Sequence, residues 1–159
     1  MSRAYDLIAI GGGSGGLAVA EKAARYGKRV AVVEAHKMGG TCVNNGCVPK
    51  KVMWYAANLA HAVDDADSFG IPVQRGATDW GKLVAGREDY IHNINRYWDN
   101  HVADSGITHI QGHARFIDSN HIEVDGETYR ADHIVIATGG RTAGTGFRGH
   151  HSRFGGAPA

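Results

Sequence analysis

The sequence lacks the features of several broad classes of protein. Its 159 residues include only two cysteines, and its acidic and basic residues nearly balance, at 16 against 17. A formal net charge of +1 argues against a nucleic-acid-binding module, which normally has a concentrated basic face. No apolar run approaches the about 20 residues that cross a bilayer, and no secretory apolar segment follows Met1. We therefore expect no nucleic-acid partner, no membrane and a cytoplasmic location.

Glycine, by contrast, is abundant: the chain has 23 glycines, about twice the usual share of about 7%. These glycines follow no period, which excludes a collagen-like chain, and they gather in a few segments. The hydrophobic fraction of 43% suits one ordinary domain with a single core.

The N-terminal part of the chain predicts a strand–helix–strand unit. Residues 5–10 and 29–34 are short apolar runs typical of buried parallel strands. Residues 17–26 carry apolar side chains at helical spacing, and Gly27 is suited to end that helix. A unit of this size is expected to form a right-handed parallel crossover.

The turn between the first strand and the helix has the pattern Gly11-x-Gly13-x-x-Gly16. Gly11 permits the tight turn, Gly13 lets the backbone approach a pyrophosphate, and Gly16 permits close packing of helix on strand. The helix N-terminus offers free N–H groups to phosphates. Glu34 ends the second strand, where a carboxylate can accept hydrogen bonds from ribose hydroxyls. The pattern therefore predicts dinucleotide binding, the alternative being a glycine-rich turn and a solvated glutamate.

Cys42 and Cys47 lie in a glycine-rich segment, residues 38–49, which is predicted to be a loop before a helix at about residues 50–63. A disulfide between them would close too small a loop to add much stability, so redox chemistry is the favoured role. A structural zinc site needs four ligands, so we expect no metal. The helix N-terminus and Lys50 would favour the thiolate form. Two inert, buried cysteines are the alternative.

The rest of the chain predicts one long helix and five strands. In chain order these are a helix at residues 78–103 and strands at residues 107–112, 114–117, 121–124, 127–130 and 133–137. The three short strands in the middle are typical of an antiparallel meander, with a hairpin turn at Asp125-Gly126. The predicted fold class is α/β, a parallel sheet with helices and an antiparallel β-meander.

Residues 39–51 and 52–57 resemble the active-site helix of the flavin-dependent pyridine nucleotide–disulfide oxidoreductases. Within that family the segment is most similar to the bacterial glutathione reductase branch. Residues 112–116 and 131–141 extend the resemblance, which covers about residues 4–141. It implies a Rossmann-like FAD-binding domain that carries a redox disulfide.

The resemblance also implies which residues hold the FAD. The pyrophosphate would lie on the glycine-rich turn, the adenosine ribose on the carboxylate that ends the second strand, and the flavin against the cysteine segment. In that order the residues are Gly11, Gly13, Ser14, Gly15 and Gly16; Glu34; and Thr41, Cys42 and Lys50. Ala114 would lie near the adenine, and Thr138 and Gly139 would lie where the chain returns past the cofactor.

The reaction implied by the resemblance passes electrons from NADPH through FAD to the Cys42–Cys47 disulfide and then to glutathione disulfide. Cys47 matches the thiol that interacts with the flavin, and Cys42 matches the thiol that exchanges with the substrate. The cofactor supplies the flavin chemistry, while the protein positions it and tunes the thiols.

Three positions depart from the family pattern. Asn45 stands where valine is usual, and Glu21 stands where a glutathione-binding arginine is often found. Trp98, preceded by Tyr97, aligns with a tyrosine of the disulfide site, and both aromatics are more typical of a core or an interface. Because of these departures, a sister enzyme of the family remains an alternative assignment, such as one that acts on dihydrolipoamide, trypanothione or mercuric ion.

The resemblance ends at Arg141. We expect residues 1–141 to be a partial FAD-binding domain and residues 142–159 to be a disordered or non-homologous tail. The family's NADPH-binding domain and its homodimerisation domain, which supplies a His–Glu acid–base pair, have no counterpart here. We therefore expect the chain alone not to turn over, the alternative being an inert or merely FAD-binding remnant.

Overall fold

One six-stranded sheet runs through the part of the chain that the computed structural model describes, residues 3–140. The strands are β1 (Arg3–Ile10), β2 (Val30–Glu34), β3 (Thr108–Gln111), β4 (Ala114–Phe116), β5 (His121–Val124) and β6 (Glu127–Ile136). The helices are α1 (Ser14–Arg25), α2 (Gly40–Asn44), α3 (Cys47–Asp65) and α4 (Trp80–Asp104), with a 3-10 helix at Ala66–Phe69. The strand order is β3-β2-β1-β6-β5-β4.

The first four strands in that order form a parallel half-sheet. β1 pairs in parallel with both β2 and β6, and β2 pairs in parallel with β3. Helix α1 connects β1 to β2, which confirms the predicted strand–helix–strand unit. Gly27 has a φ of +74° just after α1, the left-handed conformation that ends many helices.

The two faces of the sheet bury different partners. On one face Ala9 and Val32 pack with Leu17 of α1 and Val102 of α4. On the other face the parallel strands pack against β5, so the sheet folds over itself; the residues in contact there include Ile8, Ile10, Ala31, Val33, Ile122 and Val124. The α/β fold class, with its parallel sheet and antiparallel meander, is confirmed.

The cysteine segment is helical, and the prediction of a loop at residues 38–49 was wrong. Cys42 lies in α2, and Cys47 is the first residue of α3, so this helix begins before the predicted residue 50. Asn45 and Gly46 separate the two helices with backbone angles that are neither helical nor extended. A glycine-rich segment usually predicts a loop, but here the tertiary contacts of the segment determine its conformation.

The predicted strands at 127–130 and 133–137 are one continuous strand, β6. Its first half pairs antiparallel with β5, and most of its length pairs in parallel with β1. Asn120 bonds the backbone of Ala131 on both sides, accepting from its N–H at 2.9 Å and donating from Nδ2 to its carbonyl at 2.9 Å. Those bonds stabilise the strand at residues 131 and 132, between the two strands that the sequence predicted. The Asp125-Gly126 hairpin turn is confirmed, with φ of +49° and +83°.

Helix α4 matches its prediction closely. Asp79 is the N-cap residue, and its Oδ1 accepts a hydrogen bond from the N–H of Lys82 at 2.9 Å. Within residues 3–140, no helix combines the length and the apolar character that crossing a membrane requires. The predicted tail, residues 142–159, lies outside the described residues.

Candidate functional site

A cleft of about 620 Å³ opens at the carboxyl ends of β1 and β2, where the glycine-rich turn faces the cysteine segment. Ligands of parallel α/β sheets bind at such strand ends. Nine of the predicted site residues line this cleft: Gly11, Gly13, Ser14, Gly15, Glu34, Thr41, Cys42, Thr138 and Gly139. The predicted residues are therefore brought together from four separate parts of the chain.

Two glycines of the turn occupy positions that exclude a side chain. A Cβ on Gly11, whose φ is +112°, would lie 2.2 Å from the carbonyl oxygen of Ala137. A Cβ on Gly16 would lie 1.9 Å from the carbonyl oxygen of Gly11. Gly16 is buried and does not line the cleft, so its role is the close packing of α1 on the turn.

The N-terminus of α1 is open toward the cleft. Its N-cap, Gly13, has no capping side chain, and the first turn of the helix contains no acidic residue. Ser14 and Gly15 line the cleft and are exposed. The free backbone N–H groups and the positive end of the helix dipole therefore suit an anionic group such as a pyrophosphate.

The carboxylate of Glu34 is held in place by backbone hydrogen bonds. Its Oε2 accepts from the N–H of Gly12 at 2.7 Å, and its Oε1 accepts from the N–H of His36 at 2.8 Å. Each oxygen keeps a second lone pair, so the group can still accept a hydrogen bond from a ribose hydroxyl. The carboxylate thus also fixes the glycine-rich turn against the end of β2.

A second, smaller cleft of about 350 Å³ adjoins the first and shares Gly11, Glu34, His36, Thr138 and Gly139 with it. Ala114, at the start of β4, lines this second cleft. The rings of two further lining residues, His36 and His113, meet edge to face with their centres 5.7 Å apart. Ala114 and Glu34 therefore line the same cleft, and the place of Ala114 near an adenine stays a prediction.

The two cysteines of the cysteine segment line different cavities. Cys42 is half-buried and lines the cleft. Cys47 is exposed and lines a groove between α3 and α4, beside Val48, Tyr55 and Tyr90. Both are thiols in this structure. Which of the two exchanges with the flavin and which with a substrate stays a prediction.

The pKa of Cys42 is raised above its ordinary value, foremost because its thiol is hydrogen-bonded to the Cys47 thiol and secondly because of burial. The geometry agrees that the two cysteines lie close together, since a Cβ on Gly46, the residue before Cys47, would lie 3.6 Å from Cα of Cys42. The prediction that a helix N-terminus and Lys50 favour the thiolate was wrong for Cys42. The residue lies in the short helix α2, and Lys50 is exposed on α3 and lines neither cleft.

The residues that depart from the family pattern lie outside the two clefts or at their rim. Glu21 of α1 is 3.2 Å from Nε2 of His101 on α4 and 3.7 Å from the guanidinium of Arg25. Trp98 is half-buried and packs against the core beneath α1 and α4, while Tyr97 is exposed. Asn45 is exposed and lines the larger cleft.

Sequence reasoning missed several residues that shape the site. Gly40 meets the glycine-rich turn, since a Cβ on it would lie 2.7 Å from Cα of Gly13. Asn44 and Asn95 hydrogen-bond to each other at 3.0 Å across a separation of 51 residues. The sequence spacing of Asn95 could have indicated its burial, because it lies four residues after Ile91 and therefore on the same buried face of α4.

A sequence profile described as pyridine nucleotide-disulphide oxidoreductase matches residues 5–157 of the chain. The chain belongs to this family. Glutathione reductase of Schizosaccharomyces pombe (strain 972) is 42% identical over an alignment of 148 residues, and the match covers 88% of this chain and 32% of that protein. The resemblance to the pyridine nucleotide-disulphide oxidoreductases and to glutathione reductase is confirmed, and the chain spans about a third of the length of this curated relative.

Proposed function

We propose that the chain binds FAD in the two joined clefts and that Cys42 and Cys47 form the disulfide through which electrons pass to a disulfide substrate. One observation carries the proposal: the open end of α1, the fixed carboxylate of Glu34 and the thiol of Cys42 face one cleft. A dinucleotide needs the first two features, and thiol–disulfide chemistry needs the third.

Each part of the cofactor has a suitable partner in the clefts. The N–H groups at the start of α1 would hold the pyrophosphate, and Glu34 would hold the adenosine ribose. The smaller cleft beside Ala114 would take the adenine, which leaves the flavin for the end lined by Thr41 and Cys42. When bound, FAD supplies two-electron chemistry that protein side chains lack.

The cysteine pair would reduce its substrate by two exchange steps. A thiolate of the reduced pair attacks one sulfur of the substrate disulfide, forms a mixed disulfide and releases one substrate thiolate. The second cysteine then attacks the mixed disulfide and releases the other substrate thiolate. The pair loses two electrons and becomes the Cys42–Cys47 disulfide, while the substrate gains those electrons and, after protonation, becomes two thiols.

Glutathione disulfide is our proposed substrate, with NADPH as the electron source of the whole enzyme. The name of the Schizosaccharomyces pombe relative supports this choice. The carboxylate of Glu21 would repel an anionic substrate only if it lay in the substrate path. Here it is paired with His101 and Arg25. Dihydrolipoamide-type substrates are the second candidate class.

A single-turnover experiment tests the thiol chemistry. The reduced chain is mixed with glutathione disulfide, and released glutathione is counted after acid quenching. We expect two glutathione molecules per chain and a Cys42–Cys47 disulfide identified by mass spectrometry. The C47S variant should stop at a mixed disulfide between Cys42 and glutathione. Release of no glutathione by the reduced parent would refute the proposed exchange.

We further propose that these 159 residues alone do not catalyse NADPH-driven turnover. Within the described residues, one glycine-rich strand-to-helix turn is open to a dinucleotide, and the proposal gives that place to FAD. Steady oxidation of NADPH by the FAD-loaded chain with glutathione disulfide, at rates typical of enzymes, would contradict this part while leaving the exchange chemistry intact.

A further inference from the structure

Asn95 is the one buried polar residue among those whose side chains the structure describes, with 8% of its surface exposed. It lies on α4, and its Nδ2 donates two hydrogen bonds to the cysteine segment. One goes to the carbonyl oxygen of Met38 at 2.8 Å and the other to Oδ1 of Asn44 at 3.0 Å. Asn44 in turn donates to the carbonyl oxygens of Gly40 at 2.9 Å and Met38 at 3.2 Å.

The buried amide of Asn95 lowers the stability of the fold. Its Oδ1 is buried and has no hydrogen-bond partner among the described residues. A buried polar atom without a partner costs about 1–3 kcal/mol, so an apolar side chain of similar size would suit the stability of α4. What the amide provides instead is the pair of hydrogen bonds that it donates to Met38 and Asn44.

The segment held by this network needs an external support. Helix α2 has five residues, too few for a helix to be stable by itself. At its start Gly40 presses against Gly13 of the glycine-rich turn, and in its middle Cys42 lies close to the start of α3, because a Cβ on Gly46, the residue before Cys47, would be 3.6 Å from Cα of Cys42. The Asn44–Asn95 pair fixes the remaining side of α2 to the long helix α4.

We propose that Asn95 and Asn44 are positioning residues that hold Cys42 against Cys47 and so set how readily the two thiols form a disulfide. This inference rests on the proposed redox role of the pair. In the reaction with glutathione disulfide, the two cysteine thiols lose two electrons and two protons and form one S–S bond, while glutathione disulfide becomes two glutathione molecules. Freeing α2 lowers the effective concentration of one thiol at the other and so favours the dithiol.

The decisive variant is N95L, because leucine removes both donated bonds and also removes the unpartnered oxygen. Its matched control is N100L, on an exposed position of the same helix. The full chain is equilibrated in glutathione redox buffers, quenched with acid, alkylated and analysed by mass. We expect the equilibrium constant for forming the Cys42–Cys47 disulfide to fall about tenfold in N95L and to stay unchanged in N100L.

The N44A variant provides the second test, since Asn44 is only half-buried and its loss should leave the fold intact. We expect a fall of about threefold to tenfold in the same constant, because one link of the network is lost. Urea unfolding of each reduced variant separates stability from positioning. An unchanged constant in both variants, whatever their stability, overturns the inference while leaving the redox role standing. A parent chain that forms no Cys42–Cys47 disulfide overturns both.

Discussion

Glycines of the turn at residues 11–16 have different surroundings, although they lie close together in the sequence. Gly11 and Gly16 pack against backbone carbonyls with no room for a Cβ. Gly15, next to Gly16 in α1, has no atom within 4 Å of the position of a Cβ. The motif predicted the tight turn and the close packing, but the empty space at Gly15 could not be predicted, because it depends on how the cysteine segment folds back.

The pair Gly16 and Gly15 gives a matched test of this reading. G16A should lose about 2–3 kcal/mol of unfolding free energy, because the new methyl group would collide with the carbonyl of Gly11. G15A should keep its stability or gain up to about 1 kcal/mol from the higher helix propensity of alanine. Urea unfolding of both variants measures the difference, and equal stabilities would show that the packing at Gly16 is not tight.

At the residue scale, Cys47 changes how tightly Cys42 holds its proton. Because the hydrogen bond that the Cys42 thiol donates to Cys47 is the main cause of the raised pKa of Cys42, the C47A variant should carry more Cys42 thiolate at neutral pH. We expect iodoacetamide to alkylate Cys42 in C47A faster than Cys42 in the reduced parent at pH 7.5. Mass analysis of peptides separates the two cysteines, and a slower reaction in C47A would contradict the stated cause.

The same raised pKa predicts a pH dependence of stability. The folded chain holds the Cys42 proton more tightly than the unfolded chain, so this contribution is fully present below the unfolded pKa, at about 8.5, and is lost as pH rises through the folded pKa. The reduced parent should therefore lose unfolding free energy above pH 8.5 more steeply than C47A. If the unfolding free energies of the reduced parent and C47A fell equally steeply with pH, the result would contradict this prediction.

Helix α4 shows what the sequence predicts best at the scale of an element, and it does so through a local signal. Asp79 accepts the N–H of Lys82, which is one of the otherwise free donors at the start of the helix. D79A should cost about 1 kcal/mol of unfolding free energy. D89A, on an exposed position inside the same helix, is the control and should change stability by less than about 0.5 kcal/mol. Equal losses of unfolding free energy in D79A and D89A, measured by urea unfolding, would show that Asp79 does not stabilise the helix as a cap.

The cysteine segment and β6 show why other elements were mispredicted. Helix α2 has only five residues and begins at Gly40, so no local periodicity marks it. Its conformation comes from contacts of Gly40 with Gly13 and of Asn44 with Asn95, which lie far away in the sequence. The sequence predicted two strands, at 127–130 and 133–137, but β6 runs through Asp132 and its pairing with β1 continues to Ile136. Propensity gives way to tertiary pairing at both places.

At the scale of the whole molecule, the sheet and the candidate site were predictable to different degrees. The apolar runs and the glycine motif gave the parallel half-sheet and one wall of the cleft, because those signals are local in sequence. The opposite wall depends on the meander folding over the sheet, which brings Gly112 close to Val124, and on the Asn44–Asn95 contact. Such contacts leave no periodic trace in a single sequence.

A titration of the purified chain with FAD, followed by flavin fluorescence, tests the central claim most directly. The parent should bind one FAD per chain, and ADP should displace it because the adenosine half occupies the turn and Glu34. In G15D the new carboxylate should fit without a clash and favour the first turn of α1, yet weaken FAD binding at least about tenfold by facing the pyrophosphate. Failure of the parent to bind FAD, or equal binding by a folded G15D, would contradict the account.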